Sequence, residues 1–245
     1  MSNAFVIGNG ESRKIFPIEK LKGAGTIYGC NAIYRDNPDL CDAIISVNPE
    51  MTEELLQAAS ENKINSNTKI YGKDNLPNFS YVLDTDPKND RFRFWHGHNL
   101  KTDSARKLDL SVARGSGCSA IQVACNDDHE NIFIIGFDML GARQYEFADG
   151  KLSRLQNNIY KNTKNYPDRM SMKGYLKFEW SYQMRQLARA YPDKNFYYIN
   201  RSEYLEANWL LHRHVGDVEN FSYGIYADLM KWLTDDQSKI SWRKY

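Results

Sequence analysis

The sequence is poor in the features that would place it in several large classes. Its four cysteines, Cys30, Cys41, Cys118 and Cys125, form no Cys-x-x-Cys pair, which argues against a zinc ribbon or a thioredoxin-like redox site. Each lies in or beside an apolar run, where a free thiol acts as a small hydrophobe; together they point to a reducing, cytoplasmic compartment. No apolar stretch approaches the roughly 18 residues of a membrane span. The N-terminus lacks the charged and apolar regions of a secretory signal. Neither sign of charge is in excess: 32 basic residues stand against 31 acidic ones. The chain as a whole therefore advertises neither a nucleic-acid binder nor an acidic partner. It shows no internal repeat and no low-complexity linker, so residues 1–245 read as one domain.

What is present is ordinary globular composition, 42% hydrophobic and 26% charged, arranged in short apolar runs that end in glycine or asparagine. Ala4-Phe5-Val6-Ile7 is long enough for one buried strand. It runs straight into Gly8-Asn9-Gly10-Glu11-Ser12. A strand entering a glycine-rich turn and a helix start lets backbone N–H groups approach an anion, because glycine tolerates positive φ and has no Cβ in the way. Ser12 is placed to cap the turn that follows. Thr26 to Cys30 reads as a second strand ending at Asn31, and Asp42 to Val47 as a third ending at Asn48-Pro49-Glu50. A helix over Met51 to Ala59 and a fourth strand over Thr68 to Gly72 come next. Apolar runs alternating with helical patterns predict an α/β, Rossmann-like, mostly parallel sheet covered by helices.

Two stretches break that rhythm and read as irregular lid insertions, about residues 73–111 and 141–173. In the first, Arg91 to His96 alternates basic and aromatic residues, which suits an edge strand or a surface gripping a phosphate or sugar. Between the two, Arg114-Gly115-Ser116-Gly117 opens a helix with small residues, again friendly to an anion. Glu130 to Gly136 is the strongest strand of the sequence and delivers Asp138 just beyond its carboxyl end, where open α/β sheets hold their ligands. Later, Tyr175 to Tyr191 reads as an amphipathic helix with Leu176, Trp180, Met184 and Leu187 on one stripe. Asn195 to Asn200 reads as a strand, and Tyr204–Leu211 and Tyr223–Leu233 as helical segments. His212 and His214, two apart, do not share a helix face and suit a rim better than a metal pair.

Gly8-Asn9-Gly10-Glu11-Ser12, Gly29-Cys30-Asn31, Asn48-Pro49, Gly115-Ser116-Gly117 and Gly136-Phe137-Asp138 occur in an order and spacing that resembles the bacterial sialyltransferases of glycosyltransferase family 42. The resemblance covers roughly residues 4–50 and 113–147. It implies a Rossmann-like sheet that binds a CMP-sugar without a metal. By matching positions, Gly8, Asn9, Gly10, Ser12, Asn31, Asn48, Ser116 and Gly117 are implied donor contacts. Neutral amides and hydroxyls can read a ribose, a base edge and a carboxylate without competing charge. Tyr145 resembles a family tyrosine that hydrogen-bonds the leaving phosphate, and Arg143 beside it offers a charge-assisted contact. The chain departs from the family at three points. Glu11 replaces a proline, Leu140 replaces a second phosphate-binding tyrosine, and no histidine falls near Asp168–Lys173, where the family has its base. Asp138, His96 and His98 are the alternatives for that proton transfer.

These observations lead to a glycosyltransferase that takes a CMP- or UDP-sugar donor. The acceptor would be a glycan or a hydroxylated nucleic-acid base; a homo-oligomer is left open. Two other readings stand beside it. Asp84-Thr85-Asp86 follows an apolar run and is the type of pair that holds Mn²⁺ or Mg²⁺. With Asp138, it fits a magnesium-dependent pterin-type diphosphokinase, a family the glycine turns resemble more distantly. The missing histidine fits a nucleotide-binding protein without catalysis.

Overall fold

The computed structural model describes residues 2–73, 92–95, 115–138, 145–148, 151–155, 158–166, 169–171, 176–207, 209–234 and 240–244. Eight strands form one sheet: β1 (Asn3–Ile7), β2 (Thr26–Cys30), β3 (Ala43–Ile45), β4 (Lys69–Lys73), β5 (Phe92–Trp95), β6 (Asn131–Ile135), β10 (Asn195–Asn200) and β11 (Phe221–Ile225). Between β6 and β10 in the chain lie β7 (Tyr145–Ala148), β8 (Lys151–Leu155) and β9 (Arg169–Ser171), a separate antiparallel sheet. The order across the large sheet is β11-β10-β6-β1-β2-β3-β4-β5. Every pairing in it is parallel. After β1 the chain winds outward through β5, then returns to the other side of β1 with β6. The sheet therefore has its topological switch point between β1 and β6, where Ile7 pairs with both Gly29 and Ile135. This is the α/β, Rossmann-like architecture the sequence predicts.

Burial on both faces explains the continuous apolar runs. Ala4 and Val6 point to one face with Ile132 and Ile134; Phe5 and Ile7 point to the other with Phe133 and Ile135. The first face is covered by α2 (Ser116–Asn126) and α3 (Leu176–Ala190), α2 lying close over the sheet through Cys118, Ala120 and Ala124. The second is covered by α1 (Pro49–Ser60) and α6 (Tyr226–Thr234). There Phe133 stacks on Phe5 and Tyr197 with centroids 5.2 and 4.8 Å apart, beneath Trp232. All four cysteines are buried and free. Burial raises the Cys41 thiol to about 12 and pushes Cys30 up as well, so both stay protonated packing groups. No helix among the described residues is long and apolar enough to cross a membrane.

The expected elements need several corrections. The turn after β1 enters a five-residue 3-10 helix, Glu11–Ile15, capped by Gly10 rather than Ser12. Asn48 is the N-cap of α1, with Pro49 in its first turn, so that helix starts before Met51. Trp180 leaves the α3 core stripe and is 37% exposed. The Tyr204–Leu211 segment is two short helices, α4 (Ser202–Ala207) and α5 (Trp209–Val215). Residues 221–225, partly inside the expected last helix, form the edge strand β11. The 141–173 insertion is not irregular throughout, since it carries β7, β8 and β9, and its Tyr160 and Tyr166 are buried in the core. In the 73–111 insertion, Phe92–Trp95 takes the edge-strand alternative as β5.

Candidate functional site

Two glycine turns meet at the switch point. A Cβ on Gly8 would stand 2.5 Å from the Gly136 carbonyl oxygen. A Cβ on Gly10 would stand 2.4 Å from Asp138 Cγ and 2.6 Å from that same carbonyl. Gly136 itself has φ +70°. The amides of Gly8 and Gly10 donate to the carbonyls of Ile135 and Gly136 at 2.8 and 2.9 Å. The Ser12 amide donates to Asp138 Oδ2 at 2.7 Å. The Gly8, Gly10 and Ser12 amides that the sequence offers to an anion here are thus spent on the neighbouring strand end.

Asp138 is enclosed. Its Oδ1 accepts from Asn200 Nδ2 at 3.2 Å, and Asn200 has no exposed surface. Asn200 also donates to the Tyr198 hydroxyl, which donates in turn to the Phe137 carbonyl. Desolvation lifts the Asp138 carboxyl above its ordinary range against the pull of the Ser12 and Asn200 hydrogen bonds. Ser12 is fully buried, its hydroxyl 3.1 Å from that of Tyr226. Asp138 and Ser12 therefore hold the two turns together from within.

The next strand ends behave differently. Asn9, more than nine-tenths buried, donates its Nδ2 to the Cys30 carbonyl at 2.9 Å, which fixes the amide's orientation. Its Oδ1 is buried and has no hydrogen-bond partner among the described residues. Asn31 follows β2 in the left-handed region at φ +52°, a conformation asparagine adopts more readily than most residues. The Ser116 hydroxyl donates to Asn31 Oδ1 at 2.8 Å while accepting from the Val47 amide at 3.1 Å. With its Oδ1 so engaged, Asn31 turns its amide donors away from Ser116. Asn31 and Ser116 thus meet at the N-terminus of α2, which Gly115 caps without a side-chain hydrogen bond, and Asn9 is linked to them through the Cys30 carbonyl that precedes Asn31. The side chain of Asn48 is half used, its Oδ1 accepting from the Met51 amide at 3.1 Å. Gly117 leaves the space that the Phe137 ring fills, 2.4 Å from where a Cβ would be. Glu11 is paired with Lys14 and Lys161, at 3.3 and 3.1 Å.

Three further residues are brought here by long-range folding. The Ile159 amide donates to the Asn9 carbonyl at 2.9 Å. The Tyr166 hydroxyl lies 3.5 Å from Asn9 Nδ2, and burial pushes its pKa up to about 12, so it keeps its proton at neutral pH. Arg35 stands 5.7 Å from the ring centroids of both Tyr160 and Tyr166 while it grips Glu54 of α1 at 2.6 and 2.7 Å. The signal for Tyr166 in the sequence was only a tyrosine within a polar insertion. Asp84, Asp86, His96, His98, Leu140 and Arg143 lie outside the described residues. Tyr145 is on β7, with its side chain outside them.

The fold is an α/β parallel sheet with Asn9 and Asn31 beyond the carboxyl ends of β1 and β2, next to its switch point. No family model matches the chain, and no match is found among curated proteins or solved structures.

Proposed function

We propose that the chain is a glycosyltransferase that moves a sugar from a CMP- or UDP-sugar to an acceptor hydroxyl, of a glycan or a hydroxylated nucleic-acid base, by direct displacement. The observation that carries the reading is the Asn9–Asn31–Ser116 cluster. A buried Asn9 Oδ1 without a partner among the described residues costs about 1–3 kcal/mol unless a water or ligand meets it. Asn9 follows β1 at the carboxyl edge of a parallel sheet, where such sheets hold ligands, and Asn31 meets Ser116 at the N-terminus of α2, which favours phosphate. In this reading the bond between the anomeric carbon and the nucleotide phosphate breaks as the acceptor oxygen bonds to that carbon. The acceptor's proton leaves to a base. Asn9, Asn31 and Ser116 hold the donor, with Asn48 at the edge of the site. Arg143 and Tyr145 stabilise the departing phosphate by resemblance alone, and Tyr166 is a further protonated hydroxyl beside Asn9.

One observation favours a second reading, a nucleotide-binding protein without catalysis: the Asp138 carboxylate is buried and held by Ser12 and Asn200. The test is a thermal-shift panel of CMP, UDP, GDP, ADP and ATP, with Mg²⁺ or with EDTA. A ligand at 100 times its Kd stabilises by about 2.7 kcal/mol. Stabilisation by CMP or UDP in EDTA supports a nucleotide-sugar site, and turnover of a CMP- or UDP-sugar then separates enzyme from binder. Stabilisation by ATP with Mg²⁺ alone would replace this reading with the diphosphokinase.

A further inference from the structure

Ile15 and Trp180 are the large apolar side chains exposed among the described residues. Trp180 belongs by sequence to the α3 stripe of Met184 and Leu187, which are buried. Its indole instead lies against the N-terminus of α2: a Cβ on Gly115 would stand 3.1 Å from its Nε1 and 3.8 Å from its Cδ1. On Gly117, two residues on, the Cα is covered by the Phe137 ring. Ser116, the residue that orients Asn31, is thus bracketed by two glycines, each with an aromatic ring against it. The start of α2 is tied to α3 by the Gly115 amide donating to Gln183 Oε1 at 3.3 Å and by Cys118 Sγ at the Trp180 carbonyl. These contacts fix where the indole stands. The ring itself stacks on no other aromatic ring of the described residues, and its N–H donates to none of their side chains.

An indole combines a large flat apolar face with a polar edge. Held at the rim of a polar site, it offers a planar ring something to lie on, while the helix N-terminus beside it favours negative charge. We propose that Trp180 is the platform on which the nucleobase of the donor stacks, with the donor's phosphate toward the first turn of α2. This deepens the nucleotide-sugar reading and rests on it. Stacking uses the π-face that all bases share, so the platform serves cytosine and uracil alike, and choice between them falls to other contacts.

The test is titration of CMP, UMP and ribose 5-phosphate, in EDTA, into the full chain and its Trp180→Leu and Trp180→Phe variants. Trp180→Leu should weaken CMP and UMP about tenfold and leave ribose 5-phosphate unchanged, and Trp180→Phe should keep most of the affinity. CMP should also quench tryptophan fluorescence in the native chain, and that quench should disappear in Trp180→Phe, which retains the other four tryptophans of the five in the sequence. This second readout decides if Trp180→Leu fails to fold. Unchanged CMP affinity in Trp180→Leu, equal weakening of all three ligands, or a quench that survives in Trp180→Phe would overturn the platform and leave the nucleotide site standing. Absence of CMP and UMP binding to the native chain would overturn both.

Discussion

The turns after β1 and β6 are built from similar parts, two strand ends with glycines and a polar residue beyond, yet they differ in what their polar groups do. Beyond β6, Asp138 is met on both oxygens by Ser12 and Asn200, and the Phe137 carbonyl by Tyr198. Beyond β1, Asn9 donates from its amide nitrogen to the Cys30 carbonyl and the Tyr166 hydroxyl, with its Oδ1 buried and unmet among the described residues. Buried polar groups are nearly always satisfied, and a fully satisfied network mainly specifies structure. The difference separates a carboxylate held on both oxygens from an amide oxygen that the proposed reading gives to a ligand. Asp138, the carboxylate beyond the strongest strand of the sequence, is held by two separate elements of the fold.

The comparison breaks most severely at the glycines. Gly10→Ala places a Cβ 2.6 Å from the Gly136 carbonyl oxygen and 2.4 Å from Asp138 Cγ. Backbone on one side and a fixed carboxylate on the other leave little room to yield. A loss of about 3 kcal/mol in urea unfolding is expected; an unfolding midpoint near the native one would show that the turns do not interlock.

The next effect sets the two polar residues side by side. Asp138→Asn offers a single acceptor oxygen to the Ser12 amide and Asn200 Nδ2, and should cost about 1–3 kcal/mol. Asn9→Ala loses the hydrogen bond to the Cys30 carbonyl and a long one to the Tyr166 hydroxyl but removes a buried unmet oxygen, so its stability should stay within about 1 kcal/mol of native. Equal destabilisation by both variants would erase the distinction between them.

Titration sharpens the same contrast. Burial raises the folded pKa of Asp138 above its unfolded value, so the group's stabilising contribution is full below the ordinary 3.8 and is lost as pH rises through the raised value. Asp138→Asn should flatten that part of the stability–pH curve, and a curve of unchanged shape would contradict the burial argument. The smallest effect lies remote from the site. Burial, partly opposed by Asp127, lowers the pKa of His129, whose Nε2 lies 3.0 Å from the Tyr28 hydroxyl. Its folded pKa lies below the ordinary 6.5, so its contribution is present above 6.5 and lost as pH falls through the lowered value. His129→Gln should therefore lose less thermal stability than the native chain on acidification below pH 6.5; equal losses would remove His129 from the account.

How much of this was legible in sequence follows from the range of the interactions. Thr26–Cys30 and Asn195–Asn200 are strands with the bounds their apolar runs predict, because a strand buried on both faces needs only a short continuous run. The strand Phe221–Ile225 was hidden by Ser222 and Gly224, which break that run, and by the helical pattern that begins at Tyr226. The glycine turns, Asn9 and Asn31 are legible as strand-end residues, and Ser116 as a helix start. That Ser116 orients Asn31, 85 positions away, and that Asn200 encloses Asp138, 62 positions away, depends on strand order, which local pattern does not carry. The place of Trp180 is hidden for the same reason, since its helical spacing matches the core stripe while Gly115 gives its ring another place to lie.

The measurement that bears most directly on the central claim is calorimetric titration of CMP and UDP, in EDTA, into the native chain and into Asn9→Ala. The account predicts binding to the native chain and at least a tenfold loss, about 1.4 kcal/mol, in a variant whose unfolding midpoint is nearly unchanged. Equal affinities in the two proteins, or no binding of either nucleotide to the native chain, would contradict it.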